Sequence, residues 1–340
     1  MHSLRDVDGI RLVILLLMIY EGGCQRVRGS MDGDLPGREP NVSIATVTTP
    51  PPPSTNEQSP IALAFRQSTP RQAPDLVFDG HFALREENEI VIRNNGETAM
   101  IGENAQNARA PVLRGGILEP LGDFLLAQCH FHWAPESFQG SEHEANRQKF
   151  SMESHFVHHN SKFGSVAEAQ GKAGGIAVVG FFLRVVPDAN PNQKFNLIVE
   201  RVRQIQEFES EVIGTPDILT FAKDVAAPQN YFAYNGSLTT PPFSENVTWI
   251  VYPSEILITE EQVAPFRQLL HEDGVTPITS NWRELQPLNG RTVHFVSPPE
   301  EIQTVRKPSG SFLSNIYNRI TSMMGRPSGI KETEAASAGK

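Results

Sequence analysis

The feature that most constrains the fold of this 340-residue chain is a pair of alternating histidines in the segment 128–133. Alternate side chains of an extended strand share a face, so His130 and His132 point the same way, roughly 6 to 7 Å apart. In a second segment, residues 150–159, the same alternation places Glu153 and His155 on one face. If the two strands lie side by side, His155 completes a cluster of three imidazoles. Three neutral imidazoles with a fourth position left open suit a catalytic zinc ion, so the pattern predicts a Zn2+ site.

The apolar pattern between residues 58 and 299 predicts one mainly β domain. Short runs rich in Val, Ile, Phe and Leu are separated by Gly, Pro and Asn, as in strands joined by turns. Only residues 193–209 and 259–271 have a helical pattern, the second with Thr259 as its N-cap. We therefore expect a single domain built on a large, mostly antiparallel central sheet with a few surface helices. The predicted strands cover residues 76–82, 89–93, 98–101, 124–133, 150–159, 176–186 and 247–252.

The two ends of the chain differ from this domain. Arg5 and Arg11 flank the start of an apolar run at 10–20, and small residues follow up to Cys24, a pattern typical of a secretory signal peptide. We expect residues 1–24 to be removed and the protein to be secreted. The alternative is an uncleaved signal anchor that tethers it to a membrane. Residues 25–57, with four consecutive prolines, predict a linker, and residues 300–340 predict a disordered tail with a short amphipathic segment.

Charge and cysteine content narrow the possible functions. A formal net charge of −10 argues against a nucleic-acid partner, because phosphate binding needs a basic face. Two cysteines, Cys24 and Cys129, are too few for a disulfide scaffold or a thiolate metal site, and we expect Cys129 to be a buried thiol. If the chain is secreted, it is expected to be a glycoprotein, with acceptor sequences that begin at Asn41, Asn235 and Asn246.

Several short blocks of residues occur in a recognisable order along the domain. They are Gln58-Ser59-Pro60-Ile61, Gln-Cys-His-Phe-His-Trp at 128–133, Gly-Ser-Glu-His at 140–143, Glu-Ser-His-Phe-Val-His at 153–158, Asn-Gly-Ser-Leu-Thr-Thr-Pro-Pro at 235–242, Trp249, and Asn281-Trp282-Arg283. In this set and order, the sequence resembles the α-class carbonic anhydrases. The resemblance implies the α-carbonic anhydrase fold and a zinc enzyme that reversibly hydrates carbon dioxide to bicarbonate and a proton, through attack by zinc-bound hydroxide.

Two alternatives to that enzyme remain open. One is a carbonic-anhydrase-related binding or matrix module that keeps the fold without efficient catalysis, and a weaker one is ester hydrolysis by the same zinc hydroxide. The partners implied are small molecules, carbon dioxide and bicarbonate. Membrane contact is not expected apart from the signal segment or the tail, and the oligomeric state is left open.

The resemblance also implies roles for the residues around the metal. The groups that support the ligands His130, His132 and His155 are, in that order, Gln128, the backbone carbonyl of Asn281, and Glu153. The Thr239 hydroxyl is implied to accept a hydrogen bond from the zinc-bound hydroxide. It donates its own proton to a buried Glu142, because an ionised carboxylate can only accept.

The substrate site implied by the resemblance combines threonine with an apolar wall. Carbon dioxide is small and apolar, so we expect its binding place to be a greasy surface beside the zinc. The residues that match the site are Thr239, Thr240, Val157, Val178, Leu238 and Trp249.

One residue departs from the family pattern at the position of proton transfer. Fast members of the family carry a histidine after an Asn-Gly pair, and here Glu97 follows Asn95-Gly96. An exposed glutamate has a pKa of about 4.3, roughly three units below that of zinc-bound water, and is a poor proton acceptor at neutral pH. We therefore expect slow turnover that depends on external buffer. Among the other histidines, we expect His143 to be a satisfied buried residue, and His81, His271 and His294 to be surface or packing residues.

Overall fold

A computed structural model of the chain describes residues 57–84, 90–103, 110–187, 190–226 and 229–299. The predicted signal segment, nearly all of the predicted linker and the predicted tail lie outside these ranges. Within the ranges, no helix has the length and apolar character needed to cross a membrane.

Short strands dominate the described residues. In chain order they are β1 Ala62–Leu63, β2 Thr69–Gln72, β3 Leu76–Asp79, β4 Ile90–Asn94, β5 Ala99–Glu103, β6 Val112–Gly115, β7 Phe124–Trp133, β8 Glu144–Ala145, β9 Met152–Asn160, β10 Ile176–Val185, β11 Glu211–Ile213, β12 Tyr231–Ser237, β13 Glu245–Ile258 and β14 His294–Ser297. The α-helices are α1 Val166–Ala169, α2 Gln193–Val202 and α3 Glu260–Val263. Short 3-10 turns occupy Phe65–Gln67, Gly116–Leu118, Thr220–Ala222 and Phe266–Gln268.

One 12-stranded sheet contains most of these strands and confirms the predicted fold class. Its main order is β11-β4-β5-β7-β9-β10-β13-β12-β14-β2, and β3 and β6 extend it beside β7. Two pairings, β10 with β13 and β14 with β2, are parallel, while the other pairings in the sheet are antiparallel. The fold is therefore mainly β on a mixed but largely antiparallel sheet.

Different residues line the two faces of the sheet, because side chains alternate along each strand. On one face, Phe131 of β7 and Phe156 of β9 join the main apolar core with Phe195 of α2 and Phe221. Phe131, Phe156 and Phe195 are fully buried, and each such burial stabilises the fold by about 1.5–3 kcal/mol. The free thiol of Cys129 is buried in the same core, where burial raises its pKa well above the usual value. The opposite face holds the histidines of β7 and the smaller cluster around Trp249.

The register of the strands brings the predicted site residues into rows on that second face. His130 of β7 lies opposite His155 of β9, and His132 lies opposite Glu153. A neighbouring row runs from Gln128 through Val157 and Val178 to Trp249, across β7, β9, β10 and β13. A bulge between Leu126 and Gln128 shifts the pairing of β7 with β9 and sets this register. Residues distant in sequence thus become cross-strand neighbours.

The predicted helices are longer than those in the structure. The segment 259–271 is helical only over Glu260–Val263, because Pro265 lacks a backbone N–H and its ring clashes with the preceding turn. The backbone N–H of Thr259 donates to the Gln262 side chain at 3.1 Å, as expected of its N-cap position. The segment 193–209 ends its helix at Val202, and the positive φ of 58° at Glu209 is incompatible with a helix there.

Candidate metal centre

Three imidazoles from two neighbouring strands converge on one point. Nε2 of His130 lies 3.0 Å from Nε2 of His132, and one ring nitrogen from each of His130, His132 and His155 lies within 4.8 Å of the others. In a tetrahedral zinc site with Zn–N distances of about 2.0–2.1 Å, two ligand nitrogens are about 3.3 Å apart. The spacing of these nitrogens therefore fits zinc, with one coordination position left for a small ligand.

The three rings are neutral, as metal ligands must be. Burial, with smaller contributions from the neighbouring imidazoles, lowers the pKa of His130 well below its usual value. Burial also lowers the pKa of His132 to about 4 and lowers the pKa of His155. His132 and His155 are almost fully buried, whereas His130 is half-buried at the open side of the group.

Each ring has an inner nitrogen, which faces the point where the three rings converge, and an outer nitrogen on the other side. A hydrogen-bond acceptor fixes the outer nitrogen of each ring. His130 Nδ1 donates to Gln128 Oε1 at 2.8 Å. His132 Nδ1 donates to the carbonyl of Asn281 at 2.9 Å, and His155 Nε2 donates to Glu153 Oε1 at 2.8 Å. Because the proton of each ring is held on its outer side, the inner nitrogen keeps its lone pair for a metal. The contacts therefore select the tautomer that zinc requires.

The His155 support extends into a buried chain of hydrogen bonds. Glu153 Oε1 also accepts from His143 Nδ1 at 2.7 Å, and Glu153 Oε2 accepts from the backbone N–H of His143 at 2.8 Å. Nε2 of His143 then accepts from the Tyr234 hydroxyl at 2.7 Å, and Tyr234 lies 2.8 Å from Ser59 Oγ. Although burial raises the pKa of Glu153, the His143 and His155 imidazoles hold it well below its usual value. Glu153 is thus a carboxylate that orients two imidazoles.

Sequence reasoning did not assign roles to Tyr234 and Ser59. The segment that forms strand β12 was not among the predicted strands, and its Asn235-Gly236 dipeptide is typical of a turn. The pairing of Tyr234 with Trp249 in the sheet is what places the phenol beneath His143. The aromatic residues Tyr231, Phe232 and Tyr234, which are common in strands, were the available signal. His143 is fully buried and has partners at both ring nitrogens.

Glu142 and Thr239 lie beside the inner nitrogens. Glu142 Oε2 is 3.8 Å from His155 Nδ1, and Oε1 accepts from the backbone N–H of Arg283 at 2.8 Å. Burial raises the pKa of Glu142 to about 7, while His155 and a hydrogen bond from Thr239 act to lower it. The Thr239 contact is loosely aligned, since Oε2 has no partner of ordinary hydrogen-bond geometry among the described residues.

An apolar wall flanks this group. Val157, Val178 and Trp249 are nearly fully buried neighbours in one row, and Leu238 packs against the cluster that contains them. The Trp249 Nε1–H donates to the carbonyl of Ser237 at 2.9 Å and so joins the wall to the Thr239 loop. The next residue of that loop, Thr240, is half-exposed.

Glu97 lies in a turn that contacts the support of His132. Its carbonyl accepts from Asn281 Nδ2 at 3.0 Å. Burial, and then repulsion by Glu272, raises the pKa of Glu97, while His271 lowers it. Glu97 is exposed, as expected from the sequence, but its pKa is raised above the ordinary value assumed for it, because neighbouring loops partly desolvate this carboxylate and add a second negative charge.

His81 also differs from expectation, because it is fully buried instead of lying at the surface. Its Nε2 lies 2.9 Å from Nε2 of His158, which projects from β9 on the face opposite His155. Burial lowers the pKa of His81 to about 4 and lowers the pKa of His158 well below its usual value. The chain thus holds a second buried group of imidazoles, outside the metal centre.

Known proteins with similar sequences belong to the family that the resemblance had indicated. The family model of eukaryotic-type carbonic anhydrase matches residues 48–297. Carbonic anhydrase 1 of Oryctolagus cuniculus is 39% identical over 197 residues, which cover 56% of this chain and 80% of that protein. Carbonic anhydrase 3 of Homo sapiens is 32% identical over 245 residues, which cover 69% of this chain and 88% of that protein. The chain therefore belongs to the eukaryotic-type carbonic anhydrase family, whose reaction is the hydration of carbon dioxide.

Proposed function

We propose that this chain reversibly hydrates carbon dioxide to bicarbonate with a zinc ion held by His130, His132 and His155. The observation that carries the proposal is the convergence of three inner nitrogens whose tautomers are each fixed from outside. Bound zinc lowers the pKa of a coordinated water to about 7, which makes hydroxide available at neutral pH.

Glu142 and Thr239 would set the direction of hydrogen bonds in the site. The Glu142 carboxylate, when ionised, can only accept, so the Thr239 hydroxyl donates to it. The lone pairs of the Thr239 oxygen are then left to accept a hydrogen bond from the species that attacks the substrate. Arg283 holds the other carboxylate oxygen through its backbone N–H and keeps Glu142 in place.

The apolar wall would receive the substrate. Carbon dioxide has no hydrogen to donate and little polarity, so Val157, Val178, Leu238 and Trp249 can bind it by burial and exclude water from its carbon. Thr240 at the half-exposed rim offers a hydroxyl to bicarbonate, the charged product.

The test measures zinc and activity on one sample of the full chain. Stopped-flow hydration of carbon dioxide with about one zinc per chain is expected for the wild type. Both should be lost in His132→Ala and retained in His294→Ala, which removes a histidine from the distant strand β14. Stoichiometric zinc without hydration would instead identify a binding module, and a folded chain without zinc would contradict the metal site itself.

We further propose that the chain is secreted and glycosylated, on the support of the arginine-flanked apolar run and of exposed Asn235 and Asn246. Mass spectrometry of the protein secreted by expressing cells should find an amino terminus close to Gln25 and a loss of mass on glycosidase treatment. Retention of residues 1–24 in a membrane fraction would favour the signal anchor instead.

A further inference from the structure

The contact between Glu142 and Thr239 joins two segments that are far apart in the sequence. Glu142 is held on one side, because its Oε1 accepts from the backbone N–H of Arg283 at 2.8 Å. Thr239 supplies a second, loosely aligned hydrogen bond to the same carboxylate. In the proposed function, this bond sets the direction of the Thr239 hydroxyl. The position of the loop that carries Thr239 therefore matters for the reaction.

The Thr239 loop runs from Leu238 to Ser244 and is closed by its own backbone. The N–H of Leu238 donates to the carbonyl of Ser244 at 2.9 Å. Inside the loop, the N–H of Phe243 donates to the carbonyl of Thr240 at 2.8 Å. A contact made at Phe243 is therefore transmitted to Thr239 through a short, closed segment.

Phe243 has an unusual backbone conformation. Its φ of 59° lies in the left-handed region, which a bulky side chain rarely adopts. Such a conformation costs free energy and persists only where the surrounding structure enforces it. Residues strained in this way concentrate at functional sites. The contacts of Phe243 show what enforces the conformation here.

Arg283 and Gln58 hold Phe243 from two sides. The guanidinium carbon of Arg283 lies 3.8 Å from the centre of the Phe243 ring, which is a cation–π contact. Gln58 Nε2 donates to the Phe243 carbonyl at 3.2 Å. Arg283 Nη1 in turn donates to Gln58 Oε1 at 3.0 Å and to the carbonyl of Ser59 at 2.7 Å. One connected set of contacts thus holds both the ring and the backbone of Phe243.

Arg283 therefore contacts both partners of the Glu142–Thr239 bond. Its backbone N–H binds Glu142, and its side chain binds the Thr239 loop through Phe243. Arg283 and Phe243 are both half-buried, and a cation–π attraction is stronger where it is shielded from water. Because the carboxylate and the loop share one support, the alignment of Thr239 with Glu142 depends on the contact between Arg283 and Phe243.

We propose that Phe243 is a positioning residue for the hydration of carbon dioxide. Its ring, packed against the Arg283 guanidinium, holds the Thr239 loop where the Thr239 hydroxyl can donate to Glu142. The inference rests on the proposed function, because it assigns Phe243 a role in the reaction of that site. Phe243 itself undergoes no chemical change and acts through Thr239.

The kinetic test compares Phe243→Leu with Phe243→Tyr. Leucine keeps an apolar side chain but has no π face, whereas tyrosine keeps the ring. kcat/KM for hydration should fall about 3- to 10-fold in Phe243→Leu, as expected for loss of one partly buried cation–π contact, and should stay near the wild-type value in Phe243→Tyr. The matched control is Phe138→Leu, at a phenylalanine that is 68% exposed, and it should not change kcat/KM. An unchanged kcat/KM in Phe243→Leu would overturn the proposal.

Two further variants separate positioning from a general loss of structure. In a Thr239→Ala background, the hydroxyl that Phe243 positions is absent, so Phe243→Leu should cause no further loss of kcat/KM. An equal fold-loss in both backgrounds would overturn the proposal. Phe243→Gly accepts the positive φ without strain but removes the ring, and its kcat/KM should fall at least as far as that of Phe243→Leu. Wild-type kcat/KM in Phe243→Gly would show that backbone conformation alone places the loop, and would also overturn the proposal.

Hydrogen exchange tests the same contact without activity. The backbone amide of Leu238, which closes the Thr239 loop, should exchange several-fold faster in Phe243→Leu than in the wild type or in Phe138→Leu. Equal exchange in the three proteins would overturn the proposal. A wild type that binds zinc but does not hydrate carbon dioxide would refute the proposed function instead, while hydrogen exchange would still decide whether the Phe243 ring fixes the loop.

Discussion

Strand β9 separates two buried groups of imidazoles that differ in how their outer nitrogens are bonded. On one face, His155 joins His130 and His132, with Nε2 atoms of the latter pair 3.0 Å apart. On the other, His158 and His81 place their Nε2 atoms 2.9 Å apart. The first group has an acceptor behind every ring, whereas Nδ1 of His81 and of His158 has no partner of ordinary geometry among the described residues.

The difference shows that close imidazoles alone do not make a metal site. In the His81–His158 pair, one Nε2–H can donate to the other Nε2, so the rings satisfy each other without an ion. In the described part of the chain, neither His81 nor His158 belongs to a group of three potential metal ligands. In the metal centre, external acceptors turn three lone pairs inward and leave them unsatisfied unless a metal binds.

The largest expected effect comes from removing a ring of the metal centre, and the matched control removes a ring from the opposite face. His132→Ala should reduce bound zinc from about one per chain to near zero and reduce hydration at least about 10³-fold, because two imidazoles hold zinc poorly. His158→Ala, which removes an equally buried ring from the opposite face, should keep about one zinc per folded chain. Zinc analysis after size-exclusion chromatography checks both variants. Loss of zinc in folded His158→Ala would contradict the claim that only the first group of imidazoles binds the metal.

The acceptor behind His155 provides the next test. Glu153→Gln keeps the shape of the side chain but replaces the carboxylate that accepts hydrogen bonds from His143 and His155. Loss of such a support should weaken zinc affinity about 10- to 100-fold, or about 1.4–2.7 kcal/mol. Competition with a zinc chelator measures this affinity. An unchanged zinc affinity would mean that the orientation of His155 by Glu153 is not what makes this face, and not the other, a metal site.

The pH dependence of stability tests the second face. Because burial lowers the pKa of folded His81 to about 4 from the usual 6.5, the unfolded chain binds more protons between these values. Stability is therefore fully present above pH 6.5 and is lost as pH falls towards 4. Between pH 7.5 and 5, the wild type should lose free energy of unfolding, as measured by urea denaturation. In the double variant His81→Leu/His158→Leu, this loss should be smaller than in the wild type by about 1–3 kcal/mol.

The single variant His81→Leu controls for packing in that experiment. It leaves His158 buried without its partner and should lower stability at pH 7.5 by about 1–3 kcal/mol, whereas the double variant replaces both partners and should be nearly neutral. Equal pH dependence in the wild type and the double variant would show that these two rings do not take up protons on unfolding.

The smallest expected effect concerns a glycine behind the metal centre. Gly180 lies opposite His155, and a Cβ there would be 3.1 Å from Glu153 Oε1. Gly180→Ala should displace the carboxylate slightly and weaken zinc binding a few-fold, below the 10- to 100-fold effect of losing such a support. Gly102→Ala is the matched control, because its Cβ meets only Ala127 O at 3.9 Å. Equal zinc affinities in the two variants would contradict the claim that a Cβ at residue 180 displaces Glu153.

Local patterns in the sequence were sufficient to predict the strands of the metal centre. The alternation around His130 and His132 predicted strand 124–133 with the bounds observed for β7, and the run at 150–159 differs from β9 by two residues at its start and one at its end. The zinc ligand set could be predicted because it depends on strand geometry and on motif resemblance. The carbonyl of Asn281 came from resemblance alone, since no local pattern places a residue 149 positions away behind His132.

Features that depend on long-range packing could not be predicted in this way. The burial of His81 requires the contact with His158 across 77 residues of sequence. The Tyr234 hydroxyl reaches His143 only because β12 pairs with β13. The environment of Glu97 depends on a loop about 175 residues further along the chain, where His271 contacts Gly96. Local propensity carries no information about such contacts.

The most direct test of the central claim is zinc K-edge X-ray absorption on the zinc-loaded full chain. Three imidazole nitrogens at about 2.0–2.1 Å and one oxygen are expected, in agreement with ligation by His130, His132 and His155. A sulfur ligand at about 2.3 Å, or fewer than three imidazoles, would contradict the metal centre described above.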